Sequence, residues 1–350
     1  MLKRKKNFKF LIYSNLEKGF SNTLSKFIPF SYIRKFEGSK IIIPYYHLVS
    51  DEDNIPHTKY LFNHRNTTQF QSDLDFFLRH FNPISLFDLI DSVKNKRELK
   101  EKSFLLTFDD GYREVYDIIA PILIKRNIPA TLFLTINFLD NQSLSLRHKA
   151  SILVEEINKF GESIIDKIKS IFAKYKVKFT RFDISIFSLA REKIFVINEI
   201  ADLLNINFDN YLKLNKPFLT IEQVNNLINK GFTVGAHSLD HPAYSDISLK
   251  EQINQTLNSL KRLQADFSLN YRVFAFPYSD YSVSKNFYEK TQRYIEIFFG
   301  TSGLMHDKLH NSLQRFPMEN DKFHAERVYK KLILCKMLRS FCNINQIDRP

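Results

Sequence analysis

The stretch "LLTFDDGY", residues 105–112, places two adjacent aspartates at the end of an apolar run and follows them with a glycine. An unpaired charge is costly to bury, and a second carboxylate beside it raises the pKa of one of the two. The chain therefore either makes a simple Asp-Gly turn here or needs both acids for a metal ion and a proton transfer. The rest of the sequence has to decide between these interpretations.

The composition is that of a folded protein with a substantial core. Hydrophobic residues make up 44% of the 350 residues and charged residues 25%, which excludes a disordered chain. The 51 Lys+Arg residues against 38 Asp+Glu give a net charge of +13, which favours anionic partners such as acidic glycans or an anionic membrane surface. The sequence has no basic stripe with interleaved aromatic residues, so we expect no nucleic-acid partner.

The two ends of the chain carry no motif of their own. Cys335 and Cys342 are too few for a disulfide framework or a cysteine zinc site. The basic N-terminal segment, residues 1–37, has an apolar run too short for a secretory signal or a membrane span, so we expect a cytoplasmic protein. Within it, residues 8–33 form either a helix packed on the body or a peripheral contact with the inner face of an anionic membrane.

Short apolar runs alternate with amphipathic segments over residues 38–324. The runs that we predict as buried strands are residues 40–49, 103–110, 130–135, 231–238 and 273–279. Between them, segments such as residues 67–81 and 220–231 combine apolar spacing near 3.6 with helix-capping residues. Strands that alternate with helices predict parallel βαβ units, with the functional residues at the C-terminal ends of the strands.

Two further segments depart from this alternation. Residues 141–216 are polar and lysine-rich, and we predict a helical insertion rather than a separate domain. Within them Arg147, His148 and Lys149 either begin a solvated helix or bind a phosphate or carboxylate of a substrate. Residues 325–350 are predicted to form one basic C-terminal helix.

A second polar cluster ends the strand in "GFTVGAHSLDH", residues 231–241. His237 and His241 are four residues apart and can reach one metal ion. One carboxylate would complete a three-ligand zinc site with a position open to water and substrate. Such a pair can also be two surface histidines without a role. The aspartate pair upstream in the same alternating fold favours the metal site.

These motifs together resemble those of the polysaccharide deacetylases. Residues 107–111 match the family's T-F-D-D-G motif, and residues 237–241 match H-[ST]-x-x-H. Residues 277–279 resemble its Pro-Tyr-Gly motif, and residues 45–51 resemble the Tyr-His signature that starts these domains. The resemblance covers roughly residues 38–320. It implies an α/β fold, a distorted (β/α) barrel with fewer repeats than the regular eight.

The resemblance also implies a role for each matched residue. Asp110, His237 and His241 would hold a divalent metal ion, above all Zn²⁺. Asp109 would be the general base that takes a proton from the attacking water. The backbone N–H of Tyr278 would stabilise the oxyanion of the tetrahedral intermediate. The two aspartates of the opening stretch would then have separate tasks, with Gly111 letting the chain bend after them.

The substrate-binding and accessory residues are less well matched. We expect His47 and Pro277 to line the substrate site. The arginine that the family places before its third motif is Ala275 here, and we predict that Arg315 returns to Asp109 instead. The glycine of that third motif is also replaced, by Ser279. The family's late Leu-x-His, whose histidine is the general acid, has no counterpart, and the candidates by location are His306, His310 and His324.

The predicted function is that of a metal-dependent hydrolase acting on carbon–nitrogen bonds other than peptide bonds. It would remove an N-acyl group, above all N-acetyl, from an amino sugar of a bacterial surface polysaccharide or its lipid-linked precursor. One alternative is a deformylase or other deacylase acting on a lipid- or nucleotide-linked sugar. Another is a catalytically inactive relative that only binds glycans.

Overall fold

This computed structural model describes residues 19, 21–160, 162–319, 323–342 and 344–350. Much of the predicted N-terminal segment, including residues 1–18, lies outside the described residues, and so do residues 8–18 and 20 of its predicted membrane contact. Among the residues described, no helix is both long and apolar enough to cross a membrane.

The strands of the described residues form two parallel sheets. They are β1 (Ile41–Ile42), β2 (Pro44–Tyr46), β3 (Asn82–Pro83), β4 (Ser103–Phe104), β5 (Leu106–Asp110), β6 (Ala130–Leu134), β7 (Thr233–Ala236), β8 (Val273–Ala275), β9 (Ile297–Gly300), β10 (Ser312–Gln314) and β11 (Phe316–Pro317). The large sheet has the order β10-β9-β8-β7-β6-β5-β2-β11, and the small one has the order β1-β4-β3. All neighbouring strands are parallel.

The large sheet is curled into a nearly closed barrel. Its two edge strands, β10 and β11, are consecutive in the chain and separated only by Arg315. The Arg315 N–H donates to the Gly300 carbonyl at 3.0 Å, and the next N–H, of Phe316, donates to the Ile43 carbonyl at 3.1 Å. The chain thus passes from one edge of the sheet to the other within two residues. This arrangement confirms the predicted (β/α) barrel.

Helices connect the strands and cover the barrel. They are α1 (Phe30–Ile33), α2 (Thr67–His80), α3 (Leu86–Lys94), α4 (Ala120–Lys125), α5 (Leu146–Ile157), α6 (Glu162–Lys174), α7 (Phe182–Phe187), α8 (Ile194–Leu203), α9 (Phe208–Asn215), α10 (Ile221–Asn229), α11 (Leu249–Phe267), α12 (Lys285–Thr291) and α13 (Ala325–Phe341). Several begin as the sequence predicts, with a capping side chain. Thr220, for example, accepts the Gln223 N–H at 3.1 Å.

The alternation of side chains along the strands separates a helix-facing from an inward-facing set. Phe108 of β5 packs in the large hydrophobic cluster beneath the helices. Phe133 and Val273 belong to a second cluster, on the other face of their strands. Gly235 leaves room for them, because a Cβ at that position would lie 2.6 Å from the Phe133 ring. Asp109 follows Phe108 and therefore belongs to the inward-facing set.

Helices α5 to α9 lie between β6 and β7, within the range predicted as an insertion. Four of them, α5 to α8, surround a hydrophobic cluster of their own. The insertion is tied to the barrel by polar contacts. His148 Nε2 lies 2.6 Å from the Tyr112 hydroxyl, and Arg191 forms an ion pair with Asp240. Both barrel residues are neighbours of predicted site residues in the chain, so the insertion borders the candidate site.

The C-terminal helix is shorter than the sequence predicted. α13 ends at Phe341. The residues that follow it in the structure return to the barrel, where Ile347 is buried and Arg349 forms ion pairs with Asp280 and Asp307. Burial of an apolar side chain and neutralisation of two buried carboxylates favour this return over continued helix.

Candidate active site

The two adjacent aspartates end β5 and are both buried. Strand geometry alone would send their side chains to opposite faces. Asp110 adopts the left-handed backbone region, with φ +69°, and Gly111 continues the bend with φ +84°. Both carboxylates therefore reach the same imidazole, since His237 Nε2 lies 3.9 Å from Asp109 Oδ2 and 3.5 Å from Asp110 Oδ1.

Asp110, His237 and His241 bring three potential ligand atoms together, all within 4.8 Å of one another. His241 Nε2 lies 3.1 Å from Asp110 Oδ1. Asp110 Oδ1 is buried, yet it has no hydrogen-bond partner among the described residues. Buried polar atoms are normally satisfied, so this oxygen between two imidazole nitrogens fits a divalent cation.

Hydrogen bonding and burial prepare His237 as a ligand. Its Nδ1 lies 2.9 Å from the Ala275 carbonyl, which can only accept, so the Nδ1–H donates and the Nε2 lone pair points to Asp110. Burial lowers the pKa of His237 to about 4, so the imidazole is neutral at physiological pH. Ala275, which occupies the family's arginine position, thus contributes its backbone instead of a side chain.

Three of the predicted site residues have left-handed backbone conformations. Asp110, His241 and Tyr278 have φ of +69°, +60° and +56°. They are three of the twelve described non-glycine residues with positive φ, and the others lie mostly elsewhere in the chain, such as Lys96 and Ser268. The conformation therefore fixes how the chain turns at these three residues but does not by itself set the site apart.

The loop after β8 carries Tyr278 to the ligand set. Its ring lies edge-on to the His241 ring, with centroids 4.6 Å apart, and is 40% exposed. The Ser279 N–H donates to the Pro277 carbonyl at 2.7 Å, which closes a tight turn around Tyr278 even though serine replaces the family's glycine. Pro277 itself is buried, and its contact with substrate stays a prediction.

Arg315 reaches the site from the junction that closes the barrel. Its Nη1 and Nη2 donate to the two carboxylate oxygens of Asp109 at 2.6 and 2.9 Å. The guanidinium is fully buried and lies 4.8 Å from the Tyr45 ring centroid and 4.9 Å from that of Phe133. Burial opposes ionisation of Asp109, but the charge of Arg315 and the hydrogen bonds that it donates outweigh burial and hold the pKa of Asp109 below its usual value.

His47 has a partner that sequence reasoning missed. Its Nδ1 lies 2.5 Å from Glu319 Oε2, while Glu319 Oε1 accepts the backbone N–H groups of His47 and Leu48. Burial would lower the pKa of His47, but the Glu319 carboxylate outweighs it and raises the pKa to about 9. The imidazole stacks on Phe62 with ring centroids 4.3 Å apart. No motif marks Glu319, which is 272 residues away in the chain.

The other predicted histidines lie elsewhere. His306 and His310 line a cavity beside β1, whereas the candidate site lies at the C-terminal ends of the barrel strands. His324 is the N-cap residue of α13. Their positions therefore do not support the prediction that one of them is the general acid.

The structure separates the three basic residues at the start of α5. His148 is buried against Tyr112, and burial lowers its pKa to about 3. Lys149 lies over the ring of Phe208. Arg147 borders Tyr278, with its guanidinium 4.9 Å from the ring centroid.

Comparison with known proteins agrees with this fold. A family model described as polysaccharide deacetylase matches residues 96–294. Similar solved structures include the Streptococcus pyogenes deacetylase PplD in complex with acetate, with 15% identity, a TM-score of 0.52, and coverage of 83% of this chain and 97% of that chain. IcaB from Ammonifex degensii has 15% identity, a TM-score of 0.52, and coverage of 84% and 98%.

A third similar structure is a de-N-acetylase from Aggregatibacter actinomycetemcomitans. It has 14% identity, a TM-score of 0.53, and coverage of 83% of this chain and 99% of that chain. At these identities the likeness to solved structures shows the fold. A search of curated proteins gives no match.

Proposed function

The chain belongs to the polysaccharide deacetylase family of hydrolases, which act on carbon–nitrogen bonds other than peptide bonds, and we propose that it is a metal-dependent N-acyl hydrolase. Its substrate would be an N-acylated amino sugar, such as an N-acetylated one, of a bacterial surface polysaccharide or its lipid-linked precursor. The observation that supports this best is the unpartnered Asp110 Oδ1, buried between His237 and His241 with Asp109 beside it.

Asp110, His237 and His241 would hold the cation, for which zinc suits two imidazole nitrogens and one carboxylate oxygen. When bound, such a cation lowers the pKa of water and polarises the substrate carbonyl. The neutral state of His237 and its donated Nδ1–H match what a ligand of this kind requires.

Asp109 is suited to the role of general base. The bidentate ion pair with Arg315 fixes the orientation of its carboxylate and keeps it ionised. Each of its oxygens retains a lone pair that can accept a proton from the attacking water. The backbone N–H of Tyr278 would donate to the carbonyl oxygen as it gains negative charge.

His47 is suited to the role of general acid, rather than only to substrate binding. With its Nδ1 on Glu319 and its pKa raised to about 9, the imidazole is protonated near neutral pH and its Nε2–H remains available. In the overall reaction, the oxygen of water bonds to the carbonyl carbon and the C–N bond breaks. The amine takes a proton from His47, and the acid is released.

The rival functions remain open to test. A deformylase on a lipid- or nucleotide-linked sugar would use the same residues. One argument for the inactive glycan-binding alternative was the missing arginine at position 275. Arg315 supplies that positive charge to Asp109 instead, so this argument no longer holds. We also propose a cytoplasmic enzyme in peripheral contact with an anionic membrane, which the net charge of +13 supports. Recovery of the native protein from the periplasm or medium would contradict this location.

The test combines metal content and turnover. Elemental analysis of the wild type should give about one zinc ion per chain, and His237→Ala and Asp110→Ala should lose it. His310→Ala, an exposed histidine away from the site, is the matched control and should retain the metal. Acetate release from N-acetylglucosamine oligomers in the same preparations tests the reaction. If the wild type binds no metal after reconstitution, the proposal of a metal-dependent hydrolase is wrong. If it binds glycans without turning them over, the inactive glycan-binding alternative is favoured.

A further inference from the structure

A cavity of about 640 Å³ lies between the insertion and the loop that follows β7. His241 and Tyr278 line one part of it, so the cavity adjoins the metal-ligand set. Its volume is typical of a site for a small molecule and far exceeds what a single methyl group needs. Most of the remaining wall comes from α5, from the end of α7 and from the residues that follow it, all parts of the insertion.

The cavity has an apolar floor and a polar rim. Every buried side chain that lines it is apolar, namely Phe138, Leu144, Ala150, Ile186, Leu189 and Pro242. The polar residues of its lining, Arg147 and Arg191 among them, are exposed or half-buried. The apolar floor favours burial of an apolar group of a ligand. The lining therefore matches a hydrocarbon chain that ends in a polar group near the rim.

The order of the strands indicates which part of the substrate reaches this cavity. In the sheet, β5 with Asp110 and β7 with His237 lie between β2, which precedes His47, and β8, which precedes Tyr278. In the proposed reaction the amine would leave towards His47, and the carbonyl oxygen would lie near the backbone N–H of Tyr278. The carbon chain attached to that carbonyl then extends on the Tyr278 side, where the apolar cavity lies. On the opposite side a more polar cavity of about 370 Å³, bordered by Glu319, suits the sugar.

We propose that the cavity binds the hydrocarbon chain of N-acyl groups longer than acetyl. This inference rests on the proposed function and extends its substrate class to amino sugars carrying such chains. Hydrolysis keeps the same balance, with water adding its oxygen to the carbonyl carbon, the C–N bond breaking and the amine leaving protonated. Each methylene buried in the cavity is expected to improve kcat/KM about fourfold until the cavity is filled.

The first experiment compares glucosamine N-acylated with acetyl, butyryl, hexanoyl and octanoyl groups. We expect kcat/KM to rise at least tenfold from acetyl to hexanoyl. Ala190→Trp places an indole at the exposed rim of the cavity and should lower kcat/KM for the hexanoyl substrate at least tenfold and for the acetyl substrate less than twofold. Ala173→Trp, an exposed alanine of α6 outside the cavity, is the matched control and should change neither. Equal kcat/KM along the series would overturn the proposal, and so would an equal loss of kcat/KM for the acetyl and hexanoyl substrates in Ala190→Trp.

A binding measurement separates this proposal from the proposed function. Calorimetric titration with octanoate needs no turnover, and we expect binding to the wild type and to Ala173→Trp that is at least tenfold weaker in Ala190→Trp. If no substrate is turned over but octanoate binds in this pattern, the hydrolase assignment is wrong and the proposal that the cavity binds an acyl chain is supported. If octanoate does not bind, the proposal for the cavity is wrong. A preference for the octyl over the methyl glycoside of N-acetylglucosamine, lost in Ala190→Trp, would assign the cavity to a lipid aglycone and also contradict the acyl-chain proposal.

Discussion

Arg315 and Arg349 are both buried in the barrel and both form ion pairs with aspartates, but their nitrogens are satisfied to different degrees. Arg349 donates from Nε to Asp307, from Nη1 to the Asp280 carbonyl, and from Nη2 to both carboxylates. Arg315 places Nη1 and Nη2 on Asp109, while its buried Nε has no partner in the described part of the chain.

The carboxylates around Arg349 and those around Arg315 differ in the same way. Asp280 also accepts the Thr301 N–H at 3.2 Å and the Gln314 side chain at 2.9 Å. In the other cluster, Oδ1 of Asp110, the neighbour of Asp109, is left unpartnered. A buried charge cluster that serves stability completes its hydrogen bonds, whereas one that serves chemistry keeps atoms free for a cation and a proton. The comparison predicts that one cluster controls turnover and the other controls folding.

The largest effect is expected for Asp109→Asn. Loss of the proposed general base should lower kcat by about 10² to 10⁴-fold. The amide oxygen can still accept from one nitrogen of Arg315, but the buried guanidinium loses its counter-charge. We therefore expect zinc content to be kept and stability to fall as well, so turnover is compared per folded, zinc-loaded molecule. Turnover within fivefold of the wild type at full zinc content would contradict the base assignment.

Arg349→Met should have the opposite signature. It leaves two buried carboxylates without their counter-charge, and breaking such a pair typically costs about 3–5 kcal/mol of unfolding free energy. Urea denaturation measures this loss, and kcat per folded, zinc-loaded molecule should change little. Arg181→Met, which removes an exposed ion pair with Asp183, is the matched control and should leave the midpoint unchanged. Equal urea denaturation midpoints for Arg349→Met and Arg181→Met would show that Arg349 has no structural role.

Arg315→Lys sharpens the comparison of the two clusters, because it keeps the positive charge and loses the bidentate contact with Asp109. Hydrogen bonds to charged groups are worth about 1.5–3 kcal/mol, so we expect kcat to fall tenfold to a hundredfold. The weaker contact should also let the pKa of Asp109 rise. The acid limb of kcat/KM should therefore move to higher pH, since more alkaline solution is then needed to ionise the base. An unchanged acid limb would show that Arg315 does not set the ionisation of Asp109.

The smallest effect near neutral pH is expected for Glu319→Gln. Without the carboxylate, the pKa of His47 should fall from about 9 towards its usual 6.5, and the acid would lose its proton in more neutral solution. The basic limb of kcat/KM should move to lower pH, while turnover near pH 6 stays close to that of the wild type. Both proteins must be compared at equal metal content, because a nearby cation also lowers the pKa of His47. A basic limb that does not move would exclude His47 as the acid.

The sequence by itself predicted the runs that hold seven of the eleven described strands, their parallel arrangement and a histidine pair that can reach one metal ion, but it missed β3, β9, β10 and β11. These features rest on local chemistry. Apolar runs that end in polar residues predict the strand ends of residues 103–110 and 231–238, and motif spacing places His237 and His241 within reach of one ion. The resemblance carried by these same residues led to the barrel and to the hydrolase class, which the fold and the family match confirm.

Only the tertiary structure decided which distant residues complete the site. Arg315 lies 206 residues from Asp109, and Glu319 lies 272 residues from His47. Both pairs meet because the chain closes the barrel between β10 and β11, which brings residues 315–319 beside β2 and β5. The sequence contains many other charged residues, and no local pattern distinguishes Arg315 and Glu319 from them. Such pairings follow from sheet order and barrel closure, which depend on the packing of the whole chain rather than on any local pattern.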